Sequence, residues 1–313
     1  MAKPILRKSL NSRKRLPGTP EPMMFLPGKD GLSIAADCWG KSDDPLVVLL
    51  HGGGQTRHAW KGTGEALAKT GVRTCSLDAR GHGDSGWSPA GEYEQDAMVG
   101  DLVSVVEHLG DPRPVLVGAS MGGGVALCAV GERHIDAHAV VLVDMAPRIE
   151  NAGAQRILDF MRQKPDGFES LEEVAEAIAS YQPHRRRPRV LDGLKKNIRL
   201  DGNNRMRWHW DPAWLGDKRR IGEIDARWER LQKAAEKLAE SRVPTLLVRG
   251  GLSDVLSEAG AREFLETCPH AEYVNVADAA HMVAGDRNDR FTHAVAEFLQ
   301  KLPRQVSGSA NRP

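Results

Sequence analysis

The chain is short of cysteine, has almost no net charge and contains no long apolar run, and each shortage excludes a class of protein. Four cysteines in 313 residues, Cys38, Cys75, Cys128 and Cys268, include no C-x-x-C pair, and no cluster of residues has the spacing of a zinc site. Cys75 and Cys128 fall within apolar runs and read as buried, reduced thiols, which makes the cytoplasm the simplest setting. A net charge of +1 supplies no field that favours nucleic acid or an anionic membrane. No stretch of about 18 apolar residues is present, so no membrane span is expected. No phosphate-binding glycine fingerprint follows a strand pattern, so no cofactor is expected. The first seventeen residues carry Lys3, Arg7, Lys8, Arg13, Lys14 and Arg15 without an acidic residue. They lack the apolar core of a secretory signal and read as a basic flexible arm, with binding to acidic partners as the sharper reading.

Glycine, in contrast, sits at chemically meaningful places. Gly118-Ala119-Ser120-Met121-Gly122 joins the apolar run Val115-Leu116-Val117 to the apolar stretch Val125–Val130. A strand–G-x-S-x-G–helix passage forces the serine into an exposed, strained turn, and the helix that follows turns its amino end toward it. A serine that merely caps the next helix is the plainer reading of the motif taken alone. A second glycine cluster, His51-Gly52-Gly53-Gly54, ends the apolar run Pro45–Leu50. Glycines there let backbone N–H groups approach a substrate. The N–H of Met121 and that of Gly53, with Gly54 as the near alternative, are the expected oxyanion donors.

A nucleophilic serine needs a base and an orienting acid. The run Val243–Val248 leads to Gly250-Gly251-Leu252-Ser253-Asp254, and the run Ala271–Val276 leads to Ala280-His281. Both residues therefore fall just past strand ends, in the order Ser, Asp, His that accompanies this kind of elbow. Asp144 also ends a strand pattern, Ala139–Val143, and fits the same order.

With Asp78-Ala79-Arg80-Gly81-His82-Gly83-Asp84-Ser85 added to these motifs, the chain resembles the α/β-hydrolase superfamily over roughly residues 22–302, and within it the lid-bearing esterase and C–C-hydrolase group. The resemblance implies an α/β fold: a mostly parallel eight-stranded sheet flanked by helices, with a helical cap inserted after the sixth strand. It favours Asp254 over Asp144 as the acid, because the loop holding Asp254 is the commoner location. It implies that His51 and His82 are framework residues beside the site. It also disfavours the dehalogenase and epoxide-hydrolase reactions, whose nucleophile is an aspartate.

The expected organisation is a basic flexible arm over 1–20, a core over 21–146 and 242–303, a cap over 147–241 and a flexible tail over 304–313. Residues near 22–27 and 32–39 read as an opening hairpin. Within the cap, Arg207-Trp208-His209-Trp210-Asp211-Pro212-Ala213-Trp214 concentrates three of the seven tryptophans. Trp208, Trp210 and Trp214 either glue cap to core or, with Gly54, line an apolar substrate pocket. The basic run His184–Arg189 reads as a solvated turn, with attraction of an acidic substrate group as its alternative.

The expectation is a serine hydrolase acting through Ser120, His281 and Asp254 on a small or medium ester-like molecule, as a monomer or homodimer, with no nucleic-acid or membrane partner. C–C hydrolase, lactonase, thioesterase and perhydrolase chemistry use the same groups. A ligand receptor with little turnover is the alternative of another class.

Overall fold

Four runs of apolar residues without alternation become inner strands of one sheet, because helices cover both of its faces. The computed structural model describes residues 13–182, 189–216, 221–281 and 288–303. In chain order the strands are β1 (Lys14–Arg15), β2 (Met24–Pro27), β3 (Ser33–Trp39), β4 (Leu46–Leu50), β5 (Arg73–Leu77), β6 (Val115–Ala119), β7 (Ala139–Val143), β8 (Ile198–Leu200), β9 (Met206–Trp208), β10 (Thr245–Gly250) and β11 (Glu272–Val276). The helices are α1 (Lys61–Ala68), α2 (Gln95–Leu109), α3 (Met121–Gly131), α4 (Asn151–Met161), α5 (Leu171–Tyr181), α6 (Ile221–Ser241), α7 (Glu258–Thr267) and α8 (Asn288–Lys301).

Eight strands form the main sheet in the order β11-β10-β7-β6-β4-β5-β3-β2. The pairs from β11 to β5 are parallel, and β3 and β2 close the far edge as an antiparallel hairpin. This is the mostly parallel eight-stranded α/β sheet expected from the sequence. Alternate residues of each strand serve opposite layers. Val48, Leu50, Leu116 and Leu142 pack with Leu102, Val105 and Leu127 of α2 and α3. Val47, Leu49, Val117 and Val141 pack with Trp60, Leu67, Phe291 and Phe298 on the α1 and α8 side. Each such side chain withdrawn from water contributes about 1.5–3 kcal/mol against the entropy of ordering the chain.

Three features differ from expectation. Residues 13–20 are not a free arm. Lys14 and Arg15 pair antiparallel with Leu200 and Arg199, making a three-stranded sheet β1-β8-β9, and Leu16 is buried. Arg13 donates to the Trp208 carbonyl at 3.0 Å and lies over the Trp87 ring. Residues 1–12 and the tail from 304 lie outside the described residues. The insertion after β7 is also shorter than the 147–241 expected for a cap, since α6 packs on core helix α3. A side chain at Gly131 would come within 2.3 Å of the Ala234 carbonyl, so glycine there permits the close approach. The insertion is not purely helical either, because β8 and β9 lie within it.

The third difference concerns cysteine. Cys38 and Cys75 stand opposite each other on β3 and β5 and form a disulfide, so Cys75 is not a reduced thiol. Cys128 and Cys268 are free and buried, and burial raises both thiols, to about 12 and about 11. The bridge removes the cysteine argument for a reducing compartment. Among the described residues no helix is long and apolar enough to cross a membrane.

Candidate active site

Ser120 occupies the first position beyond β6, at φ 47° and ψ −111°. That region is costly for a side-chain-bearing residue, about 1–3 kcal/mol, and persists only where surrounding contacts impose it. They do so here. The Ser120 N–H donates to the Val143 carbonyl on β7 at 3.0 Å, and the Gly124 N–H donates to the Ser120 carbonyl at 3.0 Å as α3 begins. The glycines two residues either side are required by close approach. A side chain at Gly118 would lie 2.3 Å from the Gly122 carbonyl, and one at Gly122 would lie 2.5 Å from the Leu50 carbonyl.

Asp144 holds the equivalent position on the adjacent strand, directly beyond β7, and also has a positive φ of 48°. It is fully buried. Its carboxylate accepts three hydrogen bonds: the Gly250 N–H at 2.9 Å, the Ser253 hydroxyl, and His281 Nδ1 at 2.6 Å. The Ser253 oxygen in turn accepts the N–H groups of Val255 and Leu256, each at 3.1 Å. The carboxylate is thereby fixed in position with its ligands supplied from the loop after β10. His281 follows β11 and is largely buried.

Asp254, the acid expected from the sequence, is not the carboxylate that the structure brings to His281. Its carboxylate points to the surface and pairs with Arg156 of α4 at 2.6 Å. Three residues of loop separate it from the end of β10, and the turn they make, closed by the Ser253 N–H on the Gly250 carbonyl at 2.9 Å, carries it outward, whereas Asp144 follows its strand immediately. The neighbour that reaches the site from that loop is Ser253, a residue whose place in the arrangement the sequence did not suggest.

The glycine loop after β4 lies against the serine: a side chain at Gly52 would come within 3.4 Å of Ser120 Cβ. The Gly54 N–H donates to His82 Nε2 at 3.2 Å, which removes Gly54 as a free oxyanion donor. No partner for the N–H of Gly53 or Met121 is present among the described residues. A side chain on Gly54 would press on Met161 of α4, and one on Gly53 on the Trp214 ring, 3.1 Å from Cη2.

The three tryptophans separate into two groups. Trp208 and Trp210 stack at 4.9 Å, with Phe160 and Phe168 beside Trp208, and so build the interior of the insertion. Trp214 sits edge-on to His82 at 5.0 Å and against Gly53. Trp214 is therefore placed against the glycine loop. Residues 183–188 lie outside the described residues, and with them nearly all of the basic run His184–Arg189.

Beneath the site is a layer of buried polar groups. His51 Nδ1–H donates to the Gly52 carbonyl at 2.8 Å while its Nε2 accepts from the Ala79 N–H at 2.9 Å. Burial lowers His51, and it lowers His82 to about 3 with help from the neighbouring His51. Arg57 binds Asp37, Asp78 and Asp84 at 3.0, 2.7 and 2.9 Å, and Arg199 of the insertion joins Asp84 at 2.8 Å. Burial would raise Asp78, but Arg57 and the Asp84 and Arg57 N–H groups hold it at about 2. These contacts make the Asp78–Ser85 loop a rigid support for the site.

Similarities to known proteins agree with this architecture. The family described as alpha/beta hydrolase fold matches residues 45–287. Esterase Rv0045c of Mycobacterium tuberculosis is 26% identical over 261 residues, 82% of each chain. The sn-1-specific diacylglycerol lipase ABHD11 of Mus musculus is 26% identical over 265 residues, covering 83% of this chain and 82% of that one. The crystal structure of E-2-(acetamidomethylene)succinate hydrolase superposes with a TM-score of 0.75 at 19% identity, over 88% of this chain and 98% of that one. The family match spans most of the sequence and includes Ser120, Asp144 and His281, so the chain belongs to the alpha/beta hydrolase fold family.

Proposed function

We propose that the protein is a serine hydrolase that cleaves carboxylic ester bonds of small to medium, apolar or aromatic substrates through an acyl-enzyme. The observation that carries this reading is the placement of Ser120 and Asp144 at matching positions on adjacent strands, with the buried Asp144 carboxylate holding His281 Nδ1 at 2.6 Å. That bond leaves Nε2 of a neutral imidazole as the acceptor. Ser120 Oγ attacks the carbonyl carbon as its proton passes to Nε2. The N–H groups of Met121 and Gly53 receive the oxyanion, assisted by the amino end of α3. The imidazolium formed is stabilised by Asp144 and gives its proton to the leaving oxygen. A water molecule, deprotonated by His281, then releases the acid. The esterase and lipase names of the relatives support an ester substrate, and the apolar residues Met161 and Trp214 against the glycine loop support an apolar acyl group.

The test is intact-mass analysis after treatment with a fluorophosphonate, together with hydrolysis of p-nitrophenyl esters, a lactone, a thioester and a vinylogous diketone. One adduct and ester turnover are expected in the wild type, and neither in Ser120→Ala. Ester hydrolysis that survives Ser120→Ala in pure protein refutes the proposal. Turnover of the diketone alone moves the reaction to C–C cleavage by the same residues.

A further inference from the structure

Three successive peptide units of the glycine loop are each gripped by a different histidine, and the third histidine comes from the insertion. His51 Nδ1–H donates to the Gly52 carbonyl, which fixes the peptide carrying the Gly53 N–H. His82 Nε2 accepts the Gly54 N–H at 3.2 Å, which fixes the next peptide. His209 Nε2–H donates to the Gly54 carbonyl at 3.2 Å, which fixes the third. The opposite nitrogen of His209 accepts the Gly83 N–H at 2.8 Å. One ring from the insertion therefore bridges the glycine loop and the Asp78–Ser85 loop, 5.8 Å from the ring of His82. It is held in place by its neighbours in sequence. The Asp211 N–H donates to the Gly81 carbonyl at 2.8 Å, and the Asp211 carboxylate accepts from the Tyr93 hydroxyl.

The chemistry of the ring is as constrained as its position. Nδ1 accepts, so the proton resides on Nε2 and the imidazole is neutral. Burial, followed by the nearby His82 and Arg199, keeps it well below the ordinary histidine value. Gly54 itself has a φ of +72°, a conformation that a free glycine would leave readily. An oxyanion donor is effective only when its N–H already points to where charge develops, because reorganisation during the reaction forfeits the gain.

We propose that His209 is a positioning residue for the reaction: through it the insertion holds the glycine loop so that the Gly53 N–H is aimed at the oxyanion, and docking of the insertion completes the donor side of the site. This rests on the serine-hydrolase reading above for its catalytic consequence, and on the three-histidine geometry alone for its structural one.

Two substitutions separate the bonds. His209→Asn places an amide oxygen near the Nδ1 position and so can keep the Gly83 bond while losing the one to Gly54. His209→Gln places an amide N–H near the Nε2 position and so can keep the Gly54 bond. Hydrogen exchange over residues 51–57 and steady-state kinetics on p-nitrophenyl acetate are measured for both, beside the wild type and Ser120→Ala. In His209→Asn, exchange across the loop should rise and kcat should fall about 10- to 100-fold with KM little changed, the signature of a donor misaligned in the transition state. His209→Gln should recover most of both. Unchanged exchange and kcat in His209→Asn overturn the proposal. So does an equal kcat loss in the two variants that merely follows their melting temperatures. If the wild type shows no Ser120-dependent turnover, the hydrolase reading fails by itself, and the exchange comparison still decides whether His209 clamps the loop.

Discussion

Replacing Asp144 and Asp254 separately by asparagine distinguishes two acids that look alike in sequence. Asparagine at 144 is nearly isosteric and can still accept the Gly250 N–H with its oxygen. Its NH₂ then occupies the place of Oδ2, which now accepts from both His281 Nδ1 and the Ser253 hydroxyl. An amide facing Nδ1 donates rather than accepts, so the imidazole proton moves to Nε2 and the base can no longer take the Ser120 proton. Loss of the correct tautomer in a Ser-His-Asp arrangement costs about 10⁴-fold in kcat, or roughly 5 kcal/mol of barrier. The folding cost is smaller, about 1–3 kcal/mol for disturbed buried hydrogen bonds. Asp254→Asn breaks only the pairing with Arg156, an exposed contact worth about 0–1 kcal/mol in stability, and its kcat should stay within about twofold. The assay is kcat for p-nitrophenyl acetate with melting temperature recorded in parallel. An Asp254→Asn variant as inactive as Asp144→Asn would refute the assignment, as would an Asp144→Asn variant that keeps a tenth of the wild-type kcat.

The Trp214 ring against Gly53 limits the space beside the oxyanion. Trp214→Ala should therefore raise the ratio of kcat/KM for p-nitrophenyl octanoate over acetate by about tenfold or more, and an unchanged ratio would show that the acyl group lies elsewhere. His82 and His209 are held neutral in the folded protein, His82 with a value of about 3, whereas the unfolded chain protonates them near pH 6.5. Below that pH the unfolded chain binds more protons, so their stabilising effect is complete above about 6.5 and is lost as pH falls toward the folded values. Urea unfolding at pH 7.5 and 5.5 should differ by up to about 1.4 kcal/mol for each of the two rings; a stability that is flat over this interval would mean that the rings are already open to solvent.

What could be read from the sequence was local. The strand–elbow–helix passage at Ser120 is encoded within about ten neighbouring residues, the glycine loop follows an apolar run directly, and His281 lies in the loop after β11, so their places at the edge of the sheet follow from chain connectivity. What could not be read depends on contacts between distant segments. Lys14 and Arg15 look like part of a solvated charge run, yet they find Leu200 and Arg199 across the fold. Cys38 and Cys75 become partners only through the antiparallel register of β3 and β5. His209 was visible only as a member of a tryptophan-rich stretch, because its donor and acceptor partners, Gly83 and Gly54, belong to loops more than a hundred residues earlier.

The choice of acid shows where a finer signal was present. β7 lies between β6 and β10 in the sheet, so the ends of β7 and β10 both border the same edge and each offers an aspartate. Connectivity cannot separate them, but distance from the strand end can. Ser120 is the first residue past β6, and Asp144 is the first past β7; the register continues from Ala119 opposite Val143, so the two residues stand side by side. Asp254 is four residues past β10, on a loop that has already turned toward α7. Positive φ at the residues directly beyond two neighbouring strands is an improbable coincidence where, among the described residues, no side-chain-bearing residue within the strands adopts it. Strain of that kind is retained where it aims a side chain. Here it aims the Asp144 carboxylate at the His281 imidazole, while Asp254 pairs with Arg156 of α4.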